Sequence, residues 1–485
     1  MKKSFISVSL SSALLFLAGC MVGPKYVKPS APTAPAFKEE PPASFSGSDT
    51  WKAAQPEDQA TRGKWWEIFG DQQLNALEDE LTSSNQDLKV DEARLRQARA
   101  MIRFNRSYLA PTISASPSVV NERLSANQPY FPASRANDGT GNYTLPIDLS
   151  YEVDLWGRVR RTINASREET QATAADVATA RLSLHAELAI DYFELRSADA
   201  QKQLLDDTVK AYTDALQLTS NRFEGGAAPK SDVAQAQTQL DTARVQDTDI
   251  TVTRAEYEHA IATLIGKPPA EFTVPPSTQV KLNLPVIPVG LPSQLLERRP
   301  DVAAGERRMA EANEQIGIAR AAYFPTLTIG ATGGFEGTTV TNWLNWPSRL
   351  WAIGPQLSET LFDAGRRRAT SEAAQANYDG TVAAYRQTAL NAFQEVEDNL
   401  AALRILEKEA DQQHQATASA QESLQLFKNR YEGGVDNYLQ VITAQTIALA
   451  DERNDIDIQR RRMDASVLLV KAVGGGWDTT QLPQY

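Results

Sequence analysis

Cysteine and histidine are nearly absent from this sequence of 485 residues, which has one cysteine and three histidines. A disulfide framework or a clustered zinc site needs more of these residues than the chain has. Positive charge is also in the minority, because 49 Lys and Arg face 61 Asp and Glu and the net charge is −12. Binding to a phosphate backbone needs the opposite balance, so nucleic acid is excluded as a partner. The small number of cysteine and histidine residues argues against an enzyme.

Long apolar runs are missing as well. Residues 5–17 are mostly apolar and follow Lys2 and Lys3, which is typical of a secretory signal peptide and too short to span a bilayer as an anchor. No later segment has the roughly 18 uninterrupted apolar residues of a membrane helix. A membrane-spanning part of this chain would therefore have to use strands.

The only cysteine lies at the end of this first apolar run. Residues 17–20 read Leu-Ala-Gly-Cys, which resembles the lipobox of bacterial lipoproteins, whose cysteine is acylated and becomes the first mature residue. We predict a signal peptide at 1–19 and a covalent lipid (palmitate) on Cys20; an ordinary signal peptide with an incidental cysteine is the alternative. The proline-rich residues 20–64 predict an extended, lipidated N-terminal tether.

The chain contains an internal repeat. Residues 221–226 (Asn-Arg-Phe-Glu-Gly-Gly) recur 208 positions later as 429–434 (Asn-Arg-Tyr-Glu-Gly-Gly), and Gly266 recurs at the same offset as Gly474. We therefore divide the mature chain beyond the tether into a first structural repeat, 65–275, and a second, 276–485.

The positions of glycine and proline predict one long helical hairpin in each repeat. Residues 158–224 and 230–265 contain neither glycine nor proline, and 366–432 and 435–473 contain only Gly380. The two 67-residue runs predict helices roughly 100 Å long. Apolar residues spaced by threes and fours predict coiled-coil-like packing within the hairpins 158–265 and 366–473. Residues 71–110 and 301–323 predict further helices.

Between the helical segments, apolar and polar residues alternate. The pattern is strict over 143–155 and weaker near 112–123, 326–337 and 350–362, which predicts four strands with loops at 124–142 and 338–349. A small soluble sheet is one alternative. Strands in lipid need a closed barrel, and since bacterial barrels have at least about eight strands, we expect three copies to share a barrel of twelve.

Several segments together resemble the TolC family of outer-membrane efflux proteins, in its OprM-like (NodT) lipoprotein branch. The resemblance rests on residues 20–26 with Pro29, Trp65-Trp66 with 69–71, Arg299-Pro300-Asp301, the two Gly-Gly turns, 433–439 and 474–477.

The resemblance implies a fold that is mainly α with a β-barrel part. It implies a homotrimer in which a twelve-stranded outer-membrane β-barrel continues into a twelve-helix periplasmic α-barrel. It also implies docking onto an inner-membrane RND-type transporter through a periplasmic adaptor (membrane fusion) protein, with small-molecule drugs in transit. No metal or cofactor is implied beyond the lipid on Cys20.

In the family, the periplasmic gate and the adaptor contacts lie at the hairpin tips, and the resemblance implies the same positions here. The resemblance places adaptor contacts at Gly225, Gly226, Gly433 and Gly434. It places the hydrophobic constriction at Leu439, whereas the position of a common aspartate ring one turn later is Thr443. Asp232 and Tyr431 match residues that link neighbouring hairpins in the family. The position of the arginine that accompanies them in the family is Asp436 here.

Four acidic residues fall on the polar register of the predicted strands. In a trimer they would form rings that make the lumen negative and favour cations. They are Asp148, Glu152, Asp154 and Glu359.

We therefore predict the exit duct of a tripartite multidrug efflux pump, a passive conduit that is not an enzyme. His185, His259 and His414 lack partners at ligand spacing, and no GxxxxGK[ST] loop is present, so energy has to come from the partner transporter. The alternatives are the outer-membrane component of a type I protein or peptide secretion system, and a periplasm-spanning structural lipoprotein without a pore, which would need no alternating strands.

Overall fold

The computed structural model describes residues 21–40, 42, 63–123, 125, 127, 139–277, 284–287 and 292–485. The predicted signal peptide, Cys20, residues 43–62 of the predicted tether and most of the predicted loop 124–142 lie outside the described residues.

Helices make up most of the described chain, and none of them is both long enough and apolar enough to cross a membrane. Their bounds are α1 Gln72–Ser84, α2 Gln86–Ser107, α3 Arg158–Glu224, α4 Lys230–Leu264, α5 Pro292–Arg298, α6 Pro300–Ala321, α7 Arg366–Glu432 and α8 Tyr438–Ala472.

The two 67-residue helices have the bounds that the glycine and proline positions predict. Each is preceded by a left-handed glycine, Gly157 with φ 80° and Gly365 with φ 88°. Upstream carboxylates accept from the first free backbone N–H groups: Asp154 from Val159 at 3.0 Å, and Asp363 from Arg367 at 3.1 Å. These caps satisfy donors that the first turn of a helix leaves unpaired.

The predicted helix over 71–110 is divided at Asn85. The backbone of Asn85 is extended (φ −57°, ψ 130°), and its side chain accepts a hydrogen bond from the Leu88 N–H at 2.8 Å. Its amide also donates to the Leu264 carbonyl at 2.8 Å, which ties this break to the end of α4. The tertiary contact and the cap together outweigh the helical preference of the surrounding residues.

Within the described residues, five strands form one antiparallel sheet in the order β1-β3-β4-β5, and β2 also pairs with β3. The predicted first strand is interrupted at Ser116-Pro117, because proline has no N–H to give to the ladder. The strands are β1 Thr112–Ala115, β2 Ser118–Glu122, β3 Thr140–Val153, β4 Thr326–Gly337 and β5 Arg349–Ser358.

The strand register separates an apolar face from a polar face. Ile147 lies opposite Gly333, which lies opposite Trp351, on the apolar face. One residue along, Asp148 lies opposite Thr332 on the polar face. This is the alternation predicted over 143–155 and is typical of a sheet with lipid on one side and water on the other.

The main hydrophobic core lies where the two repeats meet. Four residues are fully buried there, Trp65 from the segment just before α1 and Tyr192, Leu400 and Leu469 from α3, α7 and α8. The long helices α3 and α7 each pack against α6 as well as against their own hairpin partner. The core fixes the hairpins at one end, while the opposite tips extend away from it.

Residues 21–40, here called the strap, do not form a free tether. Val22 N–H donates to the Trp156 carbonyl at 3.1 Å, and Asn313 Nδ2 donates to the Pro24 carbonyl at 3.3 Å. Further along, the Glu397 carboxylate accepts from the Lys38 N–H at 2.7 Å. The strap has no regular secondary structure, as its composition predicts, yet its backbone groups are bonded to helices.

Candidate functional site: the hairpin tips and the polar sheet face

The turns of the two hairpins have the same backbone geometry. We call residues 221–232 the first tip and 429–440 the second tip. In the first tip, Gly226 N–H donates to Phe223 O at 2.9 Å and Ala227 N–H to Arg222 O at 2.7 Å. In the second, Gly434 N–H donates to Tyr431 O at 3.0 Å and Val435 N–H to Arg430 O at 2.9 Å. Both are Schellman helix ends.

Glycine is required at one position of each turn. Gly226 has φ 74° and Gly434 has φ 75°, a left-handed conformation in which a side chain is strained. Gly225 and Gly433 precede them and cap the ends of α3 and α7. The repeated Gly-Gly pair predicted these turns, and the structure places all four glycines in them.

Arg222 of the first tip reaches across to the second tip. Its Nη1 donates to the carbonyl oxygens of Tyr431 at 3.0 Å and Glu432 at 3.1 Å. Its guanidinium carbon lies 4.7 Å from the centre of the Tyr431 ring, a cation–π distance. This side chain therefore connects the two hairpins of one chain.

The matching arginine of the second tip stays within its own turn. Arg430 Nε donates to Asp436 Oδ2 at 2.6 Å, and Nη2 donates to Oδ1 at 3.0 Å. The hydrogen bonds from Arg430 hold the pKa of Asp436 below its usual range. Asp436 therefore belongs to a local fork that closes the second turn.

Tyr431 and Tyr438 form a buried aromatic pair beneath the second turn. Their ring centres are 5.1 Å apart, and they pack with Ala236 and Val441. Burial raises the pKa of Tyr438 to about 12. In the described part of this chain, the Tyr431 hydroxyl is buried without a hydrogen-bond partner. The structure therefore does not join Asp232 to Tyr431 through that hydroxyl within one chain.

Leu439 and Thr443 lie one turn apart on one exposed face of α8. Leu439 is 51% exposed although it is a large apolar residue. Thr443 is exposed and its hydroxyl donates to the Leu439 carbonyl at 3.0 Å. The two side chains present an apolar and hydroxyl surface that has no cover within the described chain.

The acidic residues expected in the lumen are mostly paired with arginines. Glu152 accepts two bonds from Arg158, at 2.9 and 2.6 Å, and Glu359 accepts from Arg367 at 3.2 Å. Asp154 and Glu359 lie one residue past the ends of β3 and β5, so both differ from the expectation of strand residues, and Asp154 also caps α3. Asp148 faces Thr332, whose hydroxyl donates to it at 2.6 Å. The negative charge of this face is therefore smaller than the sequence indicates.

A buried histidine lies in the core instead of at a catalytic site. His185 Nδ1 lies 2.5 Å from Glu78 Oε2, and the ring stacks on Trp66 at 4.3 Å. Burial raises the pKa of Glu78 to about 9 and lowers that of His185 to about 4, so burial favours the neutral form of both groups. Among the described residues, no group of His, Cys, Asp and Glu could hold a metal ion.

Arg222 connects the two tips, and the sequence did not predict this contact. The repeat contained the signal: at the position that matches Asp436, the first tip has Ala228. Without that carboxylate the first tip lacks the fork seen in the second, and Arg222 donates to carbonyl oxygens of the second tip.

The sequence matches the family model described as Outer membrane efflux protein over residues 77–267 and 291–475. The chain belongs to the outer membrane efflux protein family. Its two matched segments lie one in each predicted repeat.

Named relatives and solved structures agree with this assignment. The chain is similar to the toluene efflux pump outer membrane protein TtgF of Pseudomonas putida, with 33% identity over 479 residues that cover 99% of this chain and 98% of that protein. It is 32% identical to the outer membrane protein OprJ of Pseudomonas aeruginosa, over 99% of this chain and 97% of that one. The Campylobacter jejuni CmeC outer membrane channel superposes with a TM-score of 0.87 at 25% identity, covering 95% of this chain and 96% of that chain.

Membership in the outer membrane efflux protein family confirms the predicted fold class, location and general role. The chain is a conduit of the outer membrane that extends into the periplasm, and it is not an enzyme.

Proposed function

We propose that this protein is the homotrimeric exit duct of a tripartite pump that exports small toxic compounds. The observation that carries the proposal is the sheet, which has one polar and one apolar face. Within the described chain β1 and β5 are edge strands, because β1 pairs only with β3 and β5 pairs only with β4. An unpaired edge in lipid is costly, and pairing with other copies removes it. Three copies then form the barrel, and the hairpins continue the duct into the periplasm.

The partners of this duct are a periplasmic adaptor and an inner-membrane transporter of the RND type. TtgF is named as part of a toluene efflux pump, which supports small apolar or amphipathic cargo over protein cargo. The two Gly-Gly turns are exposed at the ends of the hairpins, which supports Gly225, Gly226, Gly433 and Gly434 as adaptor contacts.

The gate of the proposed duct is formed at the second tip. Leu439 is exposed and apolar, and Thr443 replaces an acidic group one turn away, so three copies would form an apolar, hydroxyl-lined constriction. Tyr431 and Asp436 support this constriction by fixing the turn beside it, and Asp232 would supply a link to a neighbouring hairpin of the trimer. The link from Arg222 to Tyr431 holds the first hairpin to the gate hairpin.

The anchor of the duct is a lipid on Cys20. Met21, the next residue, packs against Gly157, where an added Cβ would lie 3.0 Å from the Met21 Cα. Gly157 joins the sheet to α3, so a lipid on the preceding cysteine would enter the membrane at the inner edge of the barrel. Several acyl chains at that point anchor a protein stably.

Single-channel conductance of the purified lipoprotein in planar bilayers tests the proposal. We expect a small conductance from a trimer and a higher susceptibility to toxic compounds in cells that lack the protein. A monomer in mild detergent that forms no channel would overturn the duct and favour a structural lipoprotein. Loss of a secreted protein, with unchanged drug susceptibility, would favour protein secretion.

A further inference from the structure

The apolar face of the sheet contains a groove of about 680 Å³. Its floor lies over β4, and its walls come from β3 on one side and β5 on the other. The volume falls within the roughly 300–1,000 Å³ of ligand clefts. The lining residues that matter here are Ile147, Ala331, Gly333, Phe335, Arg349 and Trp351.

The strand register explains why a groove forms there. Gly333 lies between Ile147 and Trp351, and Ala331 lies between Leu149 and Ile353. Two small residues on the central strand are therefore flanked by large ones on both neighbours. Ile147 is 51% exposed and Trp351 is 76% exposed, so no other part of the described chain covers the walls of the groove. The groove is apolar and is as long as several residues of strand.

Neither the backbone nor the packing of the sheet requires glycine at 333. A Cβ built on Gly333 meets no atom within 4 Å, and its φ is not in the left-handed region. Glycine inside a strand weakens the strand and often marks a place where a ligand approaches closely. The missing side chain therefore leaves a space that a chain of methylene groups can occupy.

A cation stands at one end of the groove. Arg349 is exposed at the start of β5, opposite Phe335, at the end of the sheet remote from the helices. Its guanidinium lies 4.3 Å from the Trp346 ring and donates to the Trp346 carbonyl at 2.9 Å. Among the described residues, no carboxylate is within ion-pair distance of it. An apolar groove that ends in an available arginine matches a lipid with an acyl chain and a phosphate.

We propose that this groove is a binding site for a phosphorylated lipid of the outer leaflet, with an acyl chain over Gly333 and a phosphate on Arg349. The site rests on the proposed function, because the barrel places the apolar face in the membrane and the Arg349 end in the outer leaflet. One site belongs to each chain, so a trimer binds three lipids.

Native mass spectrometry of the detergent-solubilised trimer, titrated with purified lipid A, tests the site. Gly333→Leu places a side chain in the groove, and its Cβ meets no atom within 4 Å. Gly330→Leu is the matched control, because Gly330 lies on the same strand with its added Cβ also in open space but on the polar face. Arg349→Gln and Arg349→Lys, titrated with lipid A and with its phosphate-free derivative, test the phosphate.

We expect Gly333→Leu to lower lipid A binding by about tenfold and Gly330→Leu to leave it within about twofold. Arg349→Gln should abolish the preference for the phosphorylated lipid, and Arg349→Lys should retain it. Wild-type binding by Gly333→Leu, or equal loss in both glycine variants, overturns the groove. An unchanged preference in Arg349→Gln overturns the phosphate contact.

Conductance of the same preparations separates this site from the duct itself. If the wild type conducts but lipid A does not bind, only the lipid site fails. If the wild type does not conduct, the duct fails, whatever lipid is bound.

Discussion

The two hairpin tips share a backbone and differ in what their side chains do. Phe223 of the first tip is 42% exposed, whereas the matching Tyr431 of the second tip is 4% exposed. Arg222 of the first tip bonds to the other hairpin, whereas the matching Arg430 bonds to Asp436 in its own turn. The two repeats therefore share the backbone of the turn, but the matching arginines have different bonding partners.

This difference shows how a duplicated hairpin acquires two roles. The second tip is closed by its own ion pair and by a buried aromatic pair, so it is a self-contained unit that can carry a constriction. The first tip lacks the carboxylate, and its arginine is available to hold the second. The two tips differ at one decisive position, which is Ala228 in the first tip and Asp436 in the second. Asp436 keeps Arg430 within the second turn, whereas Arg222 of the first tip bonds to the second.

The largest effect should come from removing the constriction of the second tip. Leu439→Ala with Thr443→Ala should raise single-channel conductance by about fivefold or more, since an apolar ring excludes water and ions. The matched control is the same pair of positions in the first tip, Ser231→Ala with Gln235→Ala, which should leave conductance unchanged. An equal rise in both double variants would contradict a gate that is confined to the second tip.

Cutting the connection between the tips should change the open fraction of the channels and leave the conductance of an open channel as it is. Arg222→Ala removes a cation–π contact and two charge-assisted hydrogen bonds, worth about 1–3 kcal/mol. The open fraction of single channels should rise roughly tenfold.

Arg430→Ala is the control for that variant. The pair it removes is exposed and contributes about 0–1 kcal/mol, so the open fraction should stay within about twofold of the wild type. If Arg430→Ala opens the channel as much as Arg222→Ala does, the two arginines have the same role and the comparison fails.

Exchanging the position that separates the tips should have an intermediate effect. Ala228→Asp supplies the first turn with the carboxylate that the second turn has, and should draw Arg222 away from Tyr431. Because an exposed ion pair is weak, we expect the open fraction to rise only about threefold. Ala227→Asp places the same charge one residue earlier and should change little in the same recording.

The smallest effect should be a response of the second tip to acid. The pKa of Asp436 is held below the usual value of 3.8, so its ion pair stabilises the turn above that value and is lost as the pH falls through the lowered pKa. Hydrogen exchange at 429–440, corrected for intrinsic rates, should therefore be equal at pH 5 and 8 and faster at pH 3.

The first tip should show no such response, because Arg222 is held by carbonyl oxygens and a tyrosine ring. In Asp436→Asn the acid response of the second tip should disappear. A persisting response would assign it to another group.

The large elements of the fold were predictable from local signals. Glycine and proline mark the ends of α3 and α7, and alternation marks β3, because both patterns act through residues that are neighbours in sequence. The family was predictable as well, from short motifs spread over the chain.

What sequence reasoning missed depends on contacts between distant residues. The break at Asn85 is stabilised by the Leu264 carbonyl, 179 positions away. The contact of Arg222 with Tyr431 joins residues 209 positions apart. The roles of the gate residues, the lipid on Cys20 and the repeat boundaries stay predictions.

The path of the strap has a mechanical consequence. Arg161 and Asn313 both bond to the Pro24 carbonyl, at 3.2 and 3.3 Å, and Arg161 also pairs with Glu314 at 2.9 Å. Further along, Glu397 of α7 accepts from two successive N–H groups of the strap. A pull on the N-terminus would therefore be shared among α3, α6 and α7 and the Trp156 carbonyl beside β3, so no single element takes the whole load.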